Sequence, residues 1–523
     1  MGEKELILKK SIITILFGLQ FIRSYAQTQD TNKPILNFTG SIRFRGTSLA
    51  RDVPIRRNTT TFPVFDIPGF YQTQAINRNA LIFSELEAKF KNQPSVMSKQ
   101  KERLDYMDSR ILMNLEIKTS ENFDAVVGFV VGDVIFGGRA LQPNGPNANN
   151  QDPLVIGPGS GGEISQSSGV NVQASNLYLN YKLKEHNFST RFGIQFFSSV
   201  QGRVMFSTGA GFLSSKEFTQ EKIAIEGGWI RGRERSLADV DSNGFTDKNY
   251  QNTNIFFGKF RYFKLTNYKL ELYSYFLNDT DPTDANNETG NLFWHGWFNE
   301  LNVGKFSIIG HVIYNHGKVS LNNIFRDNNS KEVYRSVNHY KNFGYLLDLQ
   351  LNYQYNRTIS GHLVGIGTSG RPGTDPDGLS SNQKNNGYRT LAPGYGISNI
   401  AIDFVGGYAL FNARNMSGLA EYGGYVNATI YGPLQITLGY YQLHATRAPR
   451  LSTNREYNSL FGNKSSTFMG QEFNFNFRWG IYSEFQLIFR SGIFLPGPGL
   501  NALNDYTYGN YLKEAFLMGE YKF

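Results

Sequence analysis

The last fourteen residues, Asn510–Phe523, alternate with a period of two. Ala515, Leu517, Gly519, Tyr521 and Phe523 fall on one face, and Glu514, Phe516, Met518, Glu520 and Lys522 on the other. Only an extended strand has that period. An apolar face that ends on an aromatic at the final residue suits a strand whose outer side meets lipid and whose inner side meets water. This pattern predicts an all-β, transmembrane, antiparallel β-barrel.

The opening of the chain predicts export. Lys9 and Lys10 precede an apolar run, Ile12–Ile22, interrupted only by Thr14, Gly18 and Gln20, and Ser24-Tyr25-Ala26 supplies small residues for cleavage. The run is too short to span a bilayer as a helix and fits a signal peptide over residues 1–26. The mature chain then starts at Gln27 and forms one barrel domain over 27–523.

Composition excludes several other classes. There is no cysteine, so disulfides, thiol nucleophiles and thiolate metal sites are absent. No run of about eighteen apolar residues occurs, as a membrane helix would need. The 42 Phe, 30 Tyr and 54 Gly suit aromatic girdles and glycine-rich turns around strands that are apolar on one side only. The formal charge is +9, of which the leader carries +2. Basic residues are dispersed along alternating strands, which argues against a nucleic-acid-binding stripe.

The same alternation recurs along the chain. In Leu36–Ser48, Leu36, Phe38, Ile42 and Phe44 oppose Asn37, Thr39, Arg43 and Arg45. Met107–Thr119, Phe188–Ser198, Asn254–Phe263, Tyr345–Tyr355 and Met469–Trp479 repeat it. With the apolar set turned to lipid, Arg43, Arg45, Arg110, Arg191, Lys259, Arg261, Arg478 and Arg490 face the lumen. Glu116, Glu226, Glu271, Asp348, Glu472 and Glu514 share those faces. Two readings stay open: an electropositive path for an anionic solute, since guanidinium forks match carboxylates, or a balanced network that stiffens the wall.

Tight turns are expected at Ser120–Asn122, Lys184–Asn187, Lys264–Asn267, Asn302–Lys305, Asn356–Thr358 and Tyr431–Pro433. Long Gly/Pro/Asn/Asp-rich connections alternate with them: Ala50–Arg103, Ile135–Asn171, Gly370–Ser417, Arg447–Ser466 and Leu495–Gly509. Short periplasmic turns and long extracellular loops are the asymmetry of outer-membrane barrels. About eighteen strands result, enough for an aqueous bore, with Gly370–Ser417 and Ile135–Asn171 expected to restrict its outer mouth. Gly227-Gly228 is read as a possible bulge before Trp229, and Asn399–Leu410 as loop.

Several motifs are dispersed along the chain: Gly40-Ser41-Ile42-Arg43-Phe44-Arg45, the Arg110–Glu116 stretch, and Gly367–Pro393 with Ser369-Gly370, Asp375 and Leu391-Ala392-Pro393. Gly470-Gln471-Glu472-Phe473-Asn474 and Gly492–Gly497 complete the set. Together they resemble the alginate-export family of outer-membrane porins. The chain departs from the family pattern at Ser41, Arg371 and Asn474, where acidic residues are expected. The resemblance implies an outer-membrane conduit for a uronate-like polysaccharide.

Three smaller features complete the reading. Asp239, Asp241, Asn243 and Asp247 have the oxygen spacing of a calcium loop, although its twelfth position is Tyr250; an ordinary Asp/Asn turn is the alternative. No other cofactor is expected. The seven histidines carry no recognisable Ser or acid pattern, so no enzyme activity is expected, with a loop-based adhesin and an outer-membrane hydrolase as the competing classes. The expected partners are outer-membrane lipid, the barrel-assembly machinery through the C-terminal strand, and a hydrophilic solute.

Overall fold

The structure is a computed structural model, and it describes residues 34–54, 99–136, 172–235, 251–279, 288–326, 332–370, 384–389, 391, 398–399, 418–447, 466–499 and 511–523. The signal segment and the Asp239–Asp247 motif lie outside the described residues.

Nineteen strands occur among the described residues. They begin with β1 (Ile35–Pro54), β2 (Lys99–Lys118), β3 (Phe123–Phe136), β4 (Val172–Leu183), β5 (Phe188–Ser198) and β6 (Phe206–Phe218). Next come β7 (Ile223–Arg235), β8 (Gln251–Tyr262), β9 (Tyr268–Asp279), β10 (Glu288–Val303), β11 (Phe306–Arg326), β12 (Glu332–Gln354) and β13 (Ile359–Thr368). The series ends with β14 (Lys384–Asn385), β15 (Ala420–Tyr431), β16 (Leu434–His444), β17 (Phe468–Gly480), β18 (Phe485–Pro496) and β19 (Leu512–Lys522).

Eighteen of these form the wall. Each wall strand pairs antiparallel with its chain neighbours, β13 passing directly to β15, and β1 pairs with both β2 and β19. The sheet therefore closes on itself. Such closure is what a sheet needs in hydrocarbon, where an unpaired edge has no water to satisfy it. At the seam, Ser41 pairs with Lys522 and Arg51 with Leu512. The last residue extends the ladder: Gly40 N donates to Phe523 O at 2.9 Å, Phe523 N donates to Gly40 O at 3.1 Å, and the Phe523 ring stacks on Phe38 at 5.5 Å.

Side chains divide as the alternation demands. Phe44, Phe192, Leu347, Leu349, Leu363, Leu438 and Leu517 are exposed on the outer face. Tyr314 and Tyr345 rim this belt toward one end, and Tyr353, Tyr355, Tyr431, Trp479 and Tyr521 toward the other. An apolar belt edged by aromatic girdles on a closed antiparallel barrel is the form that crosses an outer membrane. The chain is an outer-membrane β-barrel of a Gram-negative-type bacterium.

The short turns fall at one end, as expected. Gly304 and Gly432 adopt φ of +59° and +49°, a conformation open to glycine without a Cβ penalty. In the Asn356 turn the side-chain Oδ1 accepts from Thr358 N at 2.9 Å and from Ile359 N at 2.7 Å, an Asx closure.

Three expectations need correction. Gly227 and Gly228 sit in continuous register with β6 and β8, and the irregularity comes later, between Arg231 and Arg233. Ala50–Pro54 and Lys99–Arg103 continue β1 and β2 and are not loop. The hairpin ladder can outlast the lipid belt because backbone pairing does not require an apolar face. Finally, β14 interrupts the Gly370–Ser417 loop and pairs parallel with β12.

The belt gives a direct test. Leu349 lies mid-belt on β12 and is 62% exposed. Leu349→Arg should cost about 2–4 kcal/mol of folding stability, measured by denaturant unfolding of the barrel in liposomes.

Candidate functional site

The lumen wall has two unlike sectors. From β1 to β5 the inward side chains are mainly polar: Arg43, Asn114, Glu116, Asp124, Asn176, Asn180, Lys182 and Arg191 are among them. Neighbouring strands pair them. Asn37 Nδ2 donates to Glu116 at 3.0 Å, Asn180 Nδ2 donates to Asp124 at 3.2 Å, and Lys182 forms an ion pair with Asp124. From β7 to β13 the inward side carries a buried apolar band among polar groups such as Lys259, His311 and Asp348. Ile230, Ile255, Phe257, Tyr275, Trp294, Ile313, Leu346 and Ile366 are all buried. These strands carry apolar side chains on both faces, so their inner face needs its own cover.

Two inward-folded segments supply that cover. The first is the short 199–205 connection between β5 and β6. Ser199 Oγ accepts from Val204 N at 2.9 Å and from Met205 N at 3.1 Å, which ties the loop into a hook. Its reversal uses left-handed backbone at Gln201 (φ +51°) and Gly202 (φ +68°). A non-glycine residue held there marks a conformation stabilised by its surroundings, and Gln201 Oε1 lies 3.2 Å from His311 Nδ1. Val204 and Met205 are fully buried in the apolar sector.

Arg203 closes the hook across the bore. Its Nε and Nη2 both lie 2.7 Å from Asp348 Oδ2 on β12, and the two side chains are only 5% and 2% exposed. Gln350 Nε2 donates to the other Asp348 oxygen at 3.2 Å.

The second segment belongs to the 370–417 loop. Tyr388 N donates to Ser369 O at 3.0 Å, Leu391 N donates to Val204 O at 3.0 Å, and Trp294 Nε1 donates to Arg389 O at 2.7 Å. The strap lies flat because Gly344 on β12 has no side chain. A Cβ there would stand 2.6 Å from Tyr388 Cα. Further along, Asn399 reaches the β17–β18 wall. Its N–H donates to Glu472 Oε1 at 2.6 Å, its Nδ2 donates to Asn476 Oδ1 and Ser491 O at 2.7 Å each, and its Oδ1 accepts from Arg490 Nη2 at 2.7 Å. The described parts of this long loop therefore lie inside the barrel.

All eight basic residues marked in the sequence lie on lumen faces, in five separate settings. Arg43 and Arg110 are direct cross-strand partners, with Glu520 on the other side of Arg43. Arg45 and Arg490 flank the Phe516 ring at 5.6 and 5.7 Å. Lys259 and Arg261 converge on Glu226 at 2.6 and 3.8 Å. Arg191 lies over Tyr178 at 5.9 Å, and Arg478 Nε donates to Gln486 Oε1 at 2.8 Å near the short-turn end. The lumen thus holds a carboxylate shared by Lys259 and Arg261, and two arginines side by side at Arg43 and Arg110.

Arg203, Trp294 and Asn399 carry no strand alternation that would mark them in the sequence. The 199–205 hook is also shorter than any of the loops expected to act at the mouth. Its only local signal is the strand-breaking run Ser198–Gly202.

No family model matches the chain, and no curated protein sequence does. Solved structures do resemble it. Pseudomonas aeruginosa OccK5 (OpdH) is 8% identical, with 93% of this chain and 98% of that chain covered at a TM-score of 0.45. OccK2 (OpdF) of the same organism is 10% identical over 93% and 97% of the two chains at 0.46. OpdK with vanillate, also from Pseudomonas aeruginosa, is 8% identical over 93% and 98% at 0.46.

Removing one partner of the buried Arg203–Asp348 pair leaves the other without its counter-charge. Arg203→Ala should loosen the hook by about 3–5 kcal/mol and raise single-channel conductance in planar bilayers. The double change Arg203→Met with Asp348→Leu should restore most of the hook's stability, measured by protection from protease added at the loop side.

Proposed function

We propose that this barrel is a channel for hydrophilic solutes, with preference for anions. The observation that supports this most is the division of the lumen. The inward segments lie against the buried apolar band of β7–β13, and the β1–β5 sector carries half-exposed Arg43, Arg110 and Arg191. Like charges placed directly opposite on neighbouring strands are unfavourable in themselves. Arg43 and Arg110 stand directly opposite each other, so two guanidinium groups line one stretch of the lumen. Rings and rows of fixed charge set the selectivity of aqueous pores, and guanidinium forks suit carboxylates in particular.

The resemblance of the sequence motifs to the alginate-export family narrows the passenger to uronate-bearing or other acidic saccharides. In this reading the Arg203–Asp348 hook and the Asn399 strap set the size of what passes.

Planar-bilayer recording of the refolded mature chain tests the proposal. Stable conductance steps with anion preference are expected. Arg43→Ala with Arg110→Ala should lower the anion-to-cation permeability ratio roughly five-fold, as the loss of about 1 kcal/mol of local potential implies. A folded barrel that shows no conductance would instead indicate a surface-binding protein.

A further inference from the structure

A cluster on β12, β13 and β15 is not used by the channel reading. Ser360 Oγ lies 2.8 Å from His362 Nε2, and His362 Nδ1 lies 2.7 Å from Asn352 Oδ1. Ser360 and His362 are two apart on β13 and so share its inner face, while Asn352 stands directly opposite His362 on β12. Asn427 on β15 stands directly opposite Ser360. Its Nδ2 is 3.2 Å from His362 Nε2, and Thr437 Oγ1 donates to its Oδ1 at 2.6 Å.

These contacts define one protonation pattern. Asn352 presents an acceptor to Nδ1, so Nδ1 carries the imidazole proton. Nε2 is left as an acceptor that faces both the Ser360 hydroxyl and the Asn427 amide. A nucleophile, a base on it and an orienter behind the base are the three parts of a serine acyl-transfer site. The Thr437 hydroxyl holds the Asn427 amide with its Nδ2 beside His362 Nε2 and next to the serine, close enough to serve as an oxyanion donor. Tyr425 stacks on His362 with ring centroids 4.3 Å apart and planes 9° apart, which restrains the imidazole. Ser360 and His362 are half-buried, not sealed, and β13 begins just after the 355–358 turn, so the cluster opens toward the short-turn mouth.

We propose that Ser360, His362 and Asn352 form a hydrolytic triad on the lumen wall, acting on short-acyl esters of polar alcohols. The neighbours Asn427, Thr437 and Gln354 are polar and provide no acyl-chain pocket, which favours a small acyl group on a hydrophilic carrier. Ser360 Oγ attacks the ester carbonyl while His362 Nε2 takes its proton. The C–O bond to the alcohol breaks and His362 returns the proton to the departing alkoxide. Water, deprotonated by His362, then attacks the Ser360 ester, releases the acid and regenerates the hydroxyl. Asn427 Nδ2 stabilises the oxyanion in both steps, and Asn352 is a positioning residue.

The test uses the full mature barrel, refolded and checked by heat-modifiable migration and bilayer conductance. A fluorophosphonate should form a covalent adduct that mass spectrometry places on Ser360, and p-nitrophenyl acetate should be hydrolysed. Ser360→Ala and His362→Gln should each lower labelling and turnover at least about 100-fold with conductance unchanged. Asn352→Asp should keep more turnover than Asn352→Leu, which a purely structural asparagine would not require. Labelling of the folded wild-type barrel no higher than that of Ser360→Ala, or an adduct elsewhere, overturns the triad and leaves the channel reading untouched.

Discussion

In hydrocarbon, each backbone N–H and C=O must find its partner within the protein. The whole architecture follows from that requirement. It forbids a free edge, so β1 and β19 must meet, and the ladder runs to the terminal residue through Gly40 and Phe523. Closure in turn fixes which face of every strand meets lipid. Once Leu347, Leu349 and Leu351 point outward, Asp348 has nowhere to go but the lumen.

The second determinant is that part of the wall carries large apolar side chains on both sides. A lipid-facing belt alone would leave Ile230, Ile255, Trp294, Ile313 and Leu346 against water inside the barrel. The 199–205 hook and the strap at residues 386–389 and Leu391 lie against them, with Val204, Met205 and Leu391 completing the packing. Burying these groups supplies the driving force for loop docking, and Arg203 with Asp348 fixes its register. What a channel uses for selection is thus held in place by what a soluble protein would call its core.

The outer half of this design was readable in the sequence. Period-two alternation is local, so Phe44 outward and Arg43 inward follow from three adjacent residues, and all eight basic lumen positions come from the same rule. The inner half was not readable for a physical reason. Strands such as Leu292–Phe298, apolar on both faces, have no alternation to interpret. Asp348 was visible as a lumen acid, but its partner Arg203 lies 145 residues away in a loop. Likewise, Ser360 and His362 are two apart in sequence, yet only the β12–β13 register brings Asn352 to the imidazole. The strand ends were misjudged where pairing outlasts the lipid belt, because beyond the membrane no face has to be apolar.

The two-sector wall also has a mechanical side. From β7 to β13 the barrel is two layers thick, sheet backed by packed loop, and resists bending as a sandwich does. From β1 to β4 the described contacts are hydrogen bonds and side-chain pairs between adjacent strands. The Arg203–Asp348 bond instead ties the 199–205 segment to a strand far along the sheet. It braces the cylinder across its bore, and the β1–β19 seam lies outside that brace.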